Sequence, residues 1–330
     1  MFDIITFGSA NQDIYLESEK FLPVLGKDFA TGKGICLPLG SKIEVRESFL
    51  TSGGGGTNTA ATFARQGFKV AYCGMIGDDS MGELVIDELK KYGINTSLIK
   101  KTKKTSTNIS VILMQPGNDR TILVYRGASD FLSKKDIPWD KVKKTKWLYL
   151  APFAGKLTGV TEELVSFAKK NNIKVALNPG YNQLTLPKPV LHNILKKVDV
   201  LILNQEEASL LTDTPYQKEE EIFRKIDKLC PRIAIMTKGK EGAVVSDGKY
   251  RYYAKSIGKE LVDGTGAGDA FGSGFISGLI KKNDVTYAIQ LAMANSGFAV
   301  AEIGAKEGIL RKNQSWPKTK VFKKVYSANG

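Results

Sequence analysis

From residue 147 onward, the sequence alternates between short apolar runs and longer amphipathic segments. The runs "WLYLAP", "KVALNPG", "VDVLILNQ" and "RIAIMTKG" are almost continuously apolar, as strands buried on both faces are. Between them, residues 158–172, 188–197 and 218–229 are predicted to be helices. Because parallel strands need a long crossover connection, usually a helix, this alternation predicts a mostly parallel sheet with helices on both faces.

The N-terminal part of the chain extends this pattern but is interrupted twice. We predict one three-layer α/β/α core from residues 1–13, 51–104 and 129–312. The segments 14–50 and 105–128 contain short β-like pieces and no clear helix, and the turn signal "PGND" in the second of them predicts a hairpin. We therefore expect a small second β-sheet inserted into the core, and a basic C-terminal tail over residues 313–330.

Composition limits the class of function. The chain has 330 residues, 42% hydrophobic and 25% charged, which is typical of a soluble protein with a sizeable core. No apolar run reaches the roughly 20 residues of a membrane helix, and no signal peptide is evident. Three scattered cysteines favour a reducing cytoplasm, and the single histidine, His192, argues against a histidine triad or a zinc site. The net charge of +14 includes lysine pairs near predicted helix ends, which indicate a solvated surface rather than a nucleic-acid partner.

The stretch "DGTGAGDAFGSGF" places five glycines at the entry to a predicted helix. Backbone N–H groups of Gly266, Ala267 and Gly268 at a helix N-terminus would bind an anion, which small residues allow to approach. Asp269 beside such a site is best explained as a base that removes a proton from a hydroxyl group. The stretch is not a Walker A loop, because no Gly-Lys-Ser/Thr follows the glycines. The alternative is a small-residue segment that only packs one helix against another.

Three other stretches carry polar residues suited to a ligand. "SGGGGTNTAATFARQG" places Asn58 after four glycines, either in a backbone-lined pocket or in a flexible turn; its glycine spacing does not fit a dinucleotide-binding fingerprint, which argues against an NAD-dependent oxidoreductase. "GSANQD" places Asn11 and Asp13 after the first strand, where open α/β sheets bind ligands. "LNQEE" places Asn204 and Glu207 three residues apart, to hold a water-coordinated magnesium ion or to cap a helix.

Taken together and in order, these pieces resemble the ribokinase-like carbohydrate kinases, also called the phosphofructokinase-B or PfkB family, over roughly residues 3–310. "DGTGAGDAFGSGF" is similar to the C-terminal signature of the family, and "GGGGTNTAATFARQG" followed by "GMIGDDSMG" to its N-terminal signature. "NQEE" matches an N-x-x-E element and "TKGKEGA" a nucleotide-binding strand end. The resemblance implies a kinase that transfers the γ-phosphoryl group of ATP, with Mg²⁺, to a hydroxyl of a small sugar. It also implies that the inserted sheet is a lid that covers the sugar and joins two subunits in a homodimer.

The resemblance further implies roles for single residues. Asp269 matches the catalytic base, and Gly266, Ala267 and Gly268 match the anion hole. The positions that fall in the acceptor site are Asn11, Asp13, Gly54, Gly55, Asn58 and Arg126, and those that fall in the nucleotide site are Asn204, Thr237, Gly239, Gly242 and Gly268. Glu207 falls where the family positions magnesium through water. Asp263, with the backbone of residues 300–305, falls where some members bind a monovalent cation such as potassium.

Three departures from ribokinases proper argue against D-ribose as the acceptor and against potassium activation. Gly55 stands where those enzymes have lysine, "YLAPFAGK" lacks their acidic residue, and "VAEIGAKEG" replaces their Thr-Arg-x-Gly-Ala ending. "YRGAS", with Arg126, is similar to fructokinases and ketodeoxygluconate kinases. A nucleoside acceptor stays open, clamped by Phe29, Ile35 and Tyr125. A non-catalytic sugar- or nucleotide-binding protein on this fold is the second alternative, which the intact Asp269 disfavours.

Overall fold

The structure, a computed structural model, describes residues 1–27, 29, 32–115, 120–230 and 232–326. The predicted "PGND" turn lies outside the described residues. The strands are β1 (Phe2–Phe7), β2 (Asn11–Glu17), β3 (Pro23–Leu25), β4 (Lys33–Ile35), β5 (Glu47–Gly53), β6 (Val70–Cys73), β7 (Met75–Gly77), β8 (Lys100–Thr102), β9 (Asn108–Met114), β10 (Thr121–Tyr125), β11 (Thr145–Leu150), β12 (Lys174–Leu177), β13 (Val200–Asn204), β14 (Ile233–Thr237), β15 (Ala243–Ser246), β16 (Tyr250–Ala254) and β17 (Val321–Val325). The helices are α1 (Gly55–Arg65), α2 (Ser80–Lys91), α3 (Trp139–Val142), α4 (Gly155–Thr158), α5 (Thr161–Lys170), α6 (Tyr181–Leu184), α7 (Lys188–Leu195), α8 (Gln205–Thr212), α9 (Glu219–Leu229), α10 (Ala267–Lys282) and α11 (Val285–Ala299).

A nine-stranded sheet forms the centre of the core, in the order β17-β16-β15-β14-β13-β12-β11-β1-β6. The six strands from β14 to β6 are parallel, and β15, β16 and β17 continue the sheet as antiparallel strands. The alternation of strands and helices predicted from the sequence is thereby confirmed. The carboxyl ends of six strands consequently lie along one edge of the sheet, where α/β proteins place their ligands.

Helices cover both faces of this sheet. Within β1, Ile4 is buried in the layer that contains α1, α10 and α11, whereas Ile5 is buried in the layer that contains α5, α7 and α9. Successive side chains of a strand point to opposite faces, so the continuous apolar runs supply both layers. Phe275 and Phe223 are fully buried, one in each layer, and each contributes about 1.5–3 kcal/mol by its burial. The predicted three-layer α/β/α architecture is confirmed.

A second, four-stranded sheet has the order β10-β9-β2-β5. β9 and β10 pair antiparallel, as the strands of the predicted hairpin should. β2 and β5 form another antiparallel pair, and β2 joins the two pairs by running parallel to β9. β2 begins at Asn11 and β5 ends at Gly53, so this sheet extends a few residues into the predicted core segments. Asn11 and Asp13 therefore belong to the second sheet rather than to the end of β1.

Part of the predicted basic C-terminal tail adds a strand to the main sheet. Val321–Val325 pair with β16 as its edge strand. The Lys323 ammonium lies 3.6 Å from the centre of the Tyr250 ring, a cation–π contact that adds to the pairing of the two strands. None of the helices in the described ranges is both long and apolar enough to cross a membrane.

Candidate active site

The two glycine-rich stretches meet at the edge of the sheet where the parallel strands end. The Asn58 side chain, on α1, donates a hydrogen bond from Nδ2 to Oδ2 of Asp269 on α10 at 2.9 Å. These residues are 211 positions apart in the chain. The fold thus brings the predicted acceptor residue Asn58 into direct contact with the predicted base.

The N-terminus of α10 has the features of an anion site. Gly266 occupies the N-cap position with a φ of 72°, a conformation that favours glycine. A Cβ atom there would lie only 2.6 Å from Cβ of Ala305, so close packing also requires glycine. No side chain of the described residues caps this helix, whereas Asp79, Asn204 and Asp284 cap α2, α8 and α11. An uncapped N-terminus offers its N–H groups and its dipole to an anion.

The three predicted anion-hole residues differ in their surroundings. A Cβ atom at Gly268 would meet nothing within 4 Å, so this position faces open space through which a ligand can approach. The Ala267 N–H donates weakly to the Gly264 carbonyl at 3.3 Å and so already takes part in the turn. The Gly266 carbonyl accepts from the Ala270 N–H at 2.8 Å, which fixes the first turn of α10.

Asp269 lies half-buried in this first turn. Burial raises the pKa of its carboxyl, while the hydrogen bond from Asn58 and the positive charge of Lys306 act in the opposite direction. The helix N-terminus also favours the ionised form. A Cβ atom at Gly55 would lie 3.3 Å from Asp269 Oδ1 and 3.0 Å from Ala151 Cβ, so this glycine keeps the space beside the carboxylate open.

Asp13, on β2, is a second buried carboxylate on the acceptor side. Its residue is 4% exposed, and burial raises its pKa to about 6, against the lowering effects of a hydrogen bond with Ser110 and the charge of Lys306. A Cβ atom at Gly53 would lie 1.8 Å from Asp13 Oδ2, so glycine is obligatory at that point of β5. The neighbouring Gly54 has a φ of 92°, and a Cβ atom there would lie 2.5 Å from the Ser9 carbonyl oxygen.

Gln12 Oε1 and Tyr149 Oη are buried without a hydrogen-bond partner among the described residues, and so are three side-chain oxygens of the predicted acceptor residues. These three are Asn11 Oδ1, Asp13 Oδ1 and Asn58 Oδ1. A buried acceptor left without a partner costs about 1–3 kcal/mol. Three such atoms on the predicted acceptor residues indicate a ligand that supplies several donors.

A cavity of about 190 Å³ includes Asn11 in its wall, but not Asp13 or Asn58. It is lined by Gly8, Ser9, Asn11, Asn108, Val124, Arg126, Ser129, Asp130, Pro152, Phe153, Ala154, Leu157, Gly180, Tyr181 and Asn182. Pro152 lies in this wall, and its Cδ atom would lie 3.4 Å from a Cβ atom at Gly55, the glycine beside the Asp269 carboxylate. Arg126 lies in the wall as predicted, whereas the proposed nucleoside clamp of Phe29, Ile35 and Tyr125 is absent from the wall formed by the described residues.

The predicted nucleotide residues lie at the ends of the adjacent strands β13 and β14. The Glu207 N–H donates to Asn204 Oδ1 at 2.8 Å, and the Asn204 N–H donates to Glu207 Oε2 at 2.9 Å. This reciprocal pair is a capping box for α8, so the capping alternative describes their present contacts. Burial raises the pKa of Glu207. Within the described chain, no group of three or more histidine, cysteine or carboxylate side chains could hold a metal by itself.

The remaining nucleotide candidates lie beside this pair. Thr237 is the register partner of Asn204 in the next strand. Gly239 and Gly242 follow it with φ angles of 53° and 103°. A Cβ atom at Gly242 would lie 2.0 Å from the Ala254 carbonyl, whereas one at Gly239 would meet nothing within 4 Å. Gly242 is therefore required by the fold, and Gly239 leaves an open surface beside Asn204.

Asp263, the predicted cation ligand, has donors from the protein on both oxygens. Oδ1 accepts from the Thr265 hydroxyl at 2.6 Å and backbone N–H at 2.9 Å, and Arg120 Nε lies 3.4 Å from it. Oδ2 accepts from the Tyr15 hydroxyl and from the Gly304 N–H, both at 3.1 Å. A guanidinium group already supplies positive charge here, which argues against the predicted role in potassium binding.

Lys306 was not singled out from the sequence but lies within the same region. It is fully buried. Its Nζ donates hydrogen bonds to the Ser52 carbonyl and to the Ser52 hydroxyl, the latter at 2.7 Å. The same Nζ lies 3.4 Å from Glu88 Oε1. Its segment, "VAEIGAKEG", appears in the sequence only as a departure from the family pattern. No local spacing connects this lysine with β5 or α2.

Comparisons with known proteins identify the family to which this fold and these sequence signatures belong. A family model for pfkB family carbohydrate kinases matches residues 1–312. A ribokinase of Haemophilus influenzae is 29% identical over 269 residues, which are 80% of this chain and 85% of the relative. A 5-dehydro-2-deoxygluconokinase of Clostridium perfringens is 29% identical over 270 residues, 77% of this chain and 80% of the relative. The structure of an Arabidopsis thaliana ribokinase complexed with ribose and ATP superposes with a TM-score of 0.77 at 23% identity, over 94% of this chain and 96% of that one.

The chain belongs to the PfkB family of carbohydrate kinases. As a PfkB kinase, it is a sugar kinase, a phosphotransferase with an alcohol group as acceptor. The ribokinase-like fold inferred from the sequence is confirmed by the central sheet, its helical layers and the second sheet. The roles of single residues rest on the contacts described above.

Proposed function

We propose that this PfkB kinase transfers the γ-phosphoryl group of ATP to a hydroxyl group of a small sugar that carries a carboxylate or keto group. The observation that carries the proposal is the set of buried oxygens of Asn11, Asp13 and Asn58 that lack a donor among the described residues. Sugar hydroxyls are donors, and a polyhydroxylated ligand could satisfy all three at once.

Asp269 is the proposed base. It accepts the proton of the sugar hydroxyl while that oxygen bonds to the γ-phosphorus, and the bond from phosphorus to the β,γ-bridging oxygen breaks to release ADP. Asn58 holds one oxygen of the carboxylate, and the space beside Gly55 leaves the other accessible. The uncapped N-terminus of α10 lies where negative charge develops on the transferring group, which stabilises the transition state.

ATP is the proposed donor, by analogy with the Arabidopsis ribokinase complexed with ribose and ATP. Asn204 and Thr237 lie side by side at the ends of β13 and β14, and Gly239 follows with an open side, while the buried Gly242 shapes the turn behind it. Glu207 would position Mg²⁺ through water, since an ion held mainly by phosphates and water needs few protein ligands. Magnesium supplies charge neutralisation to the phosphates. We do not propose a potassium ion at Asp263, because both oxygens of this carboxylate already have donors and Arg120 supplies a positive charge.

Arg126 favours a carboxylated or keto sugar as the acceptor. It is exposed on the wall of the cavity, where its five donors suit a carboxylate or carbonyl oxygen. Asp130 lies in the same wall, and burial raises its pKa while Arg126 opposes the shift. The relative named 5-dehydro-2-deoxygluconokinase is consistent with an acceptor of this kind.

A phosphorylation screen tests this function. Purified protein is incubated with ATP and Mg²⁺ and with fructose, ketodeoxygluconate, 5-dehydro-2-deoxygluconate, ribose, adenosine and cytidine, and ADP release is measured. We expect turnover with a keto or carboxylated sugar. Turnover with nucleosides alone would contradict a sugar acceptor but not the kinase reaction. Ligand binding with no turnover on any acceptor would support a non-catalytic binding protein.

We also propose a cytoplasmic homodimer joined through the second sheet. All five residues of its edge strand β10 are exposed, including Ile122, Leu123 and Val124. An exposed apolar edge strand is a ready site for pairing with a second copy. Sedimentation velocity should give a dimer for the wild type and a monomer for Leu123→Lys. The three unpaired cysteines support a reducing compartment.

A further inference from the structure

The loop after α11 joins three parts of the active site through three consecutive residues. The Gly304 N–H donates to Asp263 Oδ2 at 3.1 Å, and Ala305 packs against Gly266 at the N-terminus of α10. Lys306 then reaches β5 of the second sheet through Ser52. This loop therefore connects the proposed anion site with the proposed acceptor site.

Lys306 is the residue in this loop that needs an explanation. Lysine is almost never fully buried unless it is paired, because removing an ammonium group from water is very costly. Lys306 is 0% exposed, and Glu88 Oε1 lies 3.4 Å from its Nζ. Glu88 Oε2 in turn accepts from the Ser52 N–H at 2.7 Å. Lys306 and Glu88 thus hold the Ser52 backbone from both its carbonyl and its N–H side.

The segment held in this way carries the acceptor side chains. Ser52 is followed by Gly53, which packs directly against the Asp13 carboxylate, and then by Gly54 and α1 with Asn58. In the sheet, Ser52 pairs with Gln12, the neighbour of Asp13. A displacement of Ser52 would therefore move the groups around Asp13 and Asn58 together.

The charge of Lys306 also acts on both buried carboxylates. It lowers the pKa of Asp13 and of Asp269, in each case against the effect of burial. The other groups that act on Asp13 are Ser110, which lowers its pKa, and Glu88 and Asp263, which raise it. Asn58 is the other group that lowers the pKa of Asp269, and the phenol of Tyr149 is influenced by that carboxylate. Burial lowers the pKa of Lys306, and Glu88, Asp13 and Asp269 act to raise it.

We propose that Lys306 is a positioning residue of the acceptor site: its ammonium group fixes the end of β5 and supplies the positive charge that faces Asp13 and Asp269. The effect of Lys306 on turnover rests on the proposed role of Asp269 as base. Its contacts with β5 and its effect on the two carboxyl groups do not depend on that role. A lysine in a loop of the core thereby sets the geometry and the charge of a site that is built largely from the second sheet and α1.

Titration of the carboxyl groups tests this proposal without an assay of activity. The 13C signals of aspartate carboxyls are followed against pH in the wild type, in Lys306→Met, in the double variant Lys306→Met/Glu88→Gln and in Lys281→Met. Asp13→Asn and Asp269→Asn assign the two signals. Lys281 is a matched control because burial lowers its pKa too, and it lies on α10 itself but bonds to Gln66 instead. Circular dichroism confirms that each variant is folded.

We expect the pKa of both carboxyls to rise in Lys306→Met by on the order of one unit, and to stay unchanged in Lys281→Met. In the double variant, Asp269 should shift as in the single variant, whereas Asp13 should shift less, because the loss of Glu88 lowers its pKa. The double variant also keeps the test available if the single variant does not fold, since removing both partners of a buried pair costs less than stranding one. An unshifted Asp269 in either folded variant, or an unshifted Asp13 in folded Lys306→Met, would overturn the proposal.

The pH profile of turnover gives a second readout. Because a base must be deprotonated, a higher pKa of Asp269 should move the acid limb of kcat to higher pH in both Lys306 variants. A structural weakening alone would lower kcat without moving the limb, and that result would also overturn the proposal. If the wild type phosphorylates no acceptor, the proposed function fails, whereas the carboxyl titration still decides the claim about Lys306.

Discussion

The acceptor side and the donor side of the site are built in opposite ways. On the acceptor side, Asp13, Asn58 and Lys306 are buried and come from three distant parts of the chain. On the donor side, Asn204 and Glu207 lie three residues apart, are at least partly exposed and satisfy each other in a capping box. One side depends on the tertiary fold and the other on local structure.

This contrast has a consequence for selectivity. A buried oxygen without a hydrogen-bond donor has a free-energy cost that a ligand removes when it supplies the donor. A sugar that lacks a hydroxyl at that point leaves the oxygen unsatisfied and therefore binds more weakly. The donor side has its polar groups satisfied before any ligand arrives. We therefore expect strong discrimination among sugars and weaker discrimination among nucleoside triphosphates.

The largest effect is expected at Asp269, where the two sides meet. Asp269→Asn removes the proposed base but keeps the shape and the neighbouring Asn58, and kcat should fall by roughly 10²–10⁴. The KM for ATP should change little, because the backbone N–H groups of α10 remain. Steady-state kinetics check both values. Asp284→Asn is the matched control: it makes the same change at the N-cap of α11, where asparagine caps equally well, and should leave kcat unchanged. Near-full turnover in Asp269→Asn would show that Asp269 is not the base.

A smaller effect is expected when the open approach to α10 is blocked. A Cβ atom at Gly268 meets no protein atom within 4 Å, so Gly268→Val should leave the melting temperature nearly unchanged. Its side chain would stand in the path of the phosphates, and kcat/KM for ATP should fall by about 10²-fold, the cost of a small misplacement of reacting groups. Gly266→Val should instead lower the melting temperature, because of its positive φ and its contact with Ala305. Unchanged kinetics in Gly268→Val would contradict the anion site.

The acceptor cavity provides the next test. Arg126→Ala should raise KM for the sugar by roughly tenfold, which corresponds to about 1.4 kcal/mol, and leave KM for ATP unchanged. Arg46→Ala removes another exposed arginine, one that pairs with Glu17 away from the cavity, and should change neither constant. Equal effects of Arg126→Ala on both substrates would show that Arg126 does not belong to the acceptor side alone.

On the donor side, the capping box allows stability and nucleotide binding to be separated. Asn204→Ala removes the cap of α8 and should cost about 1 kcal/mol of unfolding free energy. Asn204→Asp keeps an oxygen at the same position, so its stability should stay close to that of the wild type, while a carboxylate near the phosphates should raise KM for ATP a few-fold. Denaturant unfolding and ATP kinetics check the pair. An unchanged KM for ATP in Asn204→Asp would limit Asn204 to its capping role.

The sequence predicted the parts of the structure that local pattern determines. Apolar strands such as Val200–Asn204 alternate with helices, and this alternation indicated the sheet and its layers. The resemblance of the stretches around Asn58 and Asp269 to the signatures of one kinase family indicated one site, although 211 positions separate the two residues.

Other features depend on contacts that no local pattern records. β17 has mostly exposed residues and pairs with β16 at the edge of the sheet, so no alternation of buried apolar and exposed polar residues predicts it from the sequence. Lys306 is buried only because β5 and α2 enclose it, and a lysine in a loop otherwise indicates a solvated surface. The family resemblance implied a cation-binding role for the Asp263 carboxylate. Arg120 and Tyr15, which occupy its oxygens, come from distant parts of the chain, so the sequence did not indicate that the carboxylate is already paired.

The smallest effect is expected at Asp263, where potassium should not change turnover. Both of its oxygens have donors, and Arg120 places a fixed positive charge 3.4 Å from Oδ1. Turnover in about 0.1 M potassium chloride should therefore equal that in sodium chloride of the same ionic strength, which screens charges equally. Arg120→Met removes the guanidinium and leaves a buried carboxylate with neutral donors, so activity should fall and potassium should restore part of it. Saturable activation of the wild type by potassium, with none by sodium, would show instead that the cation displaces these donors and that the acceptor side is less fixed than its burial indicates.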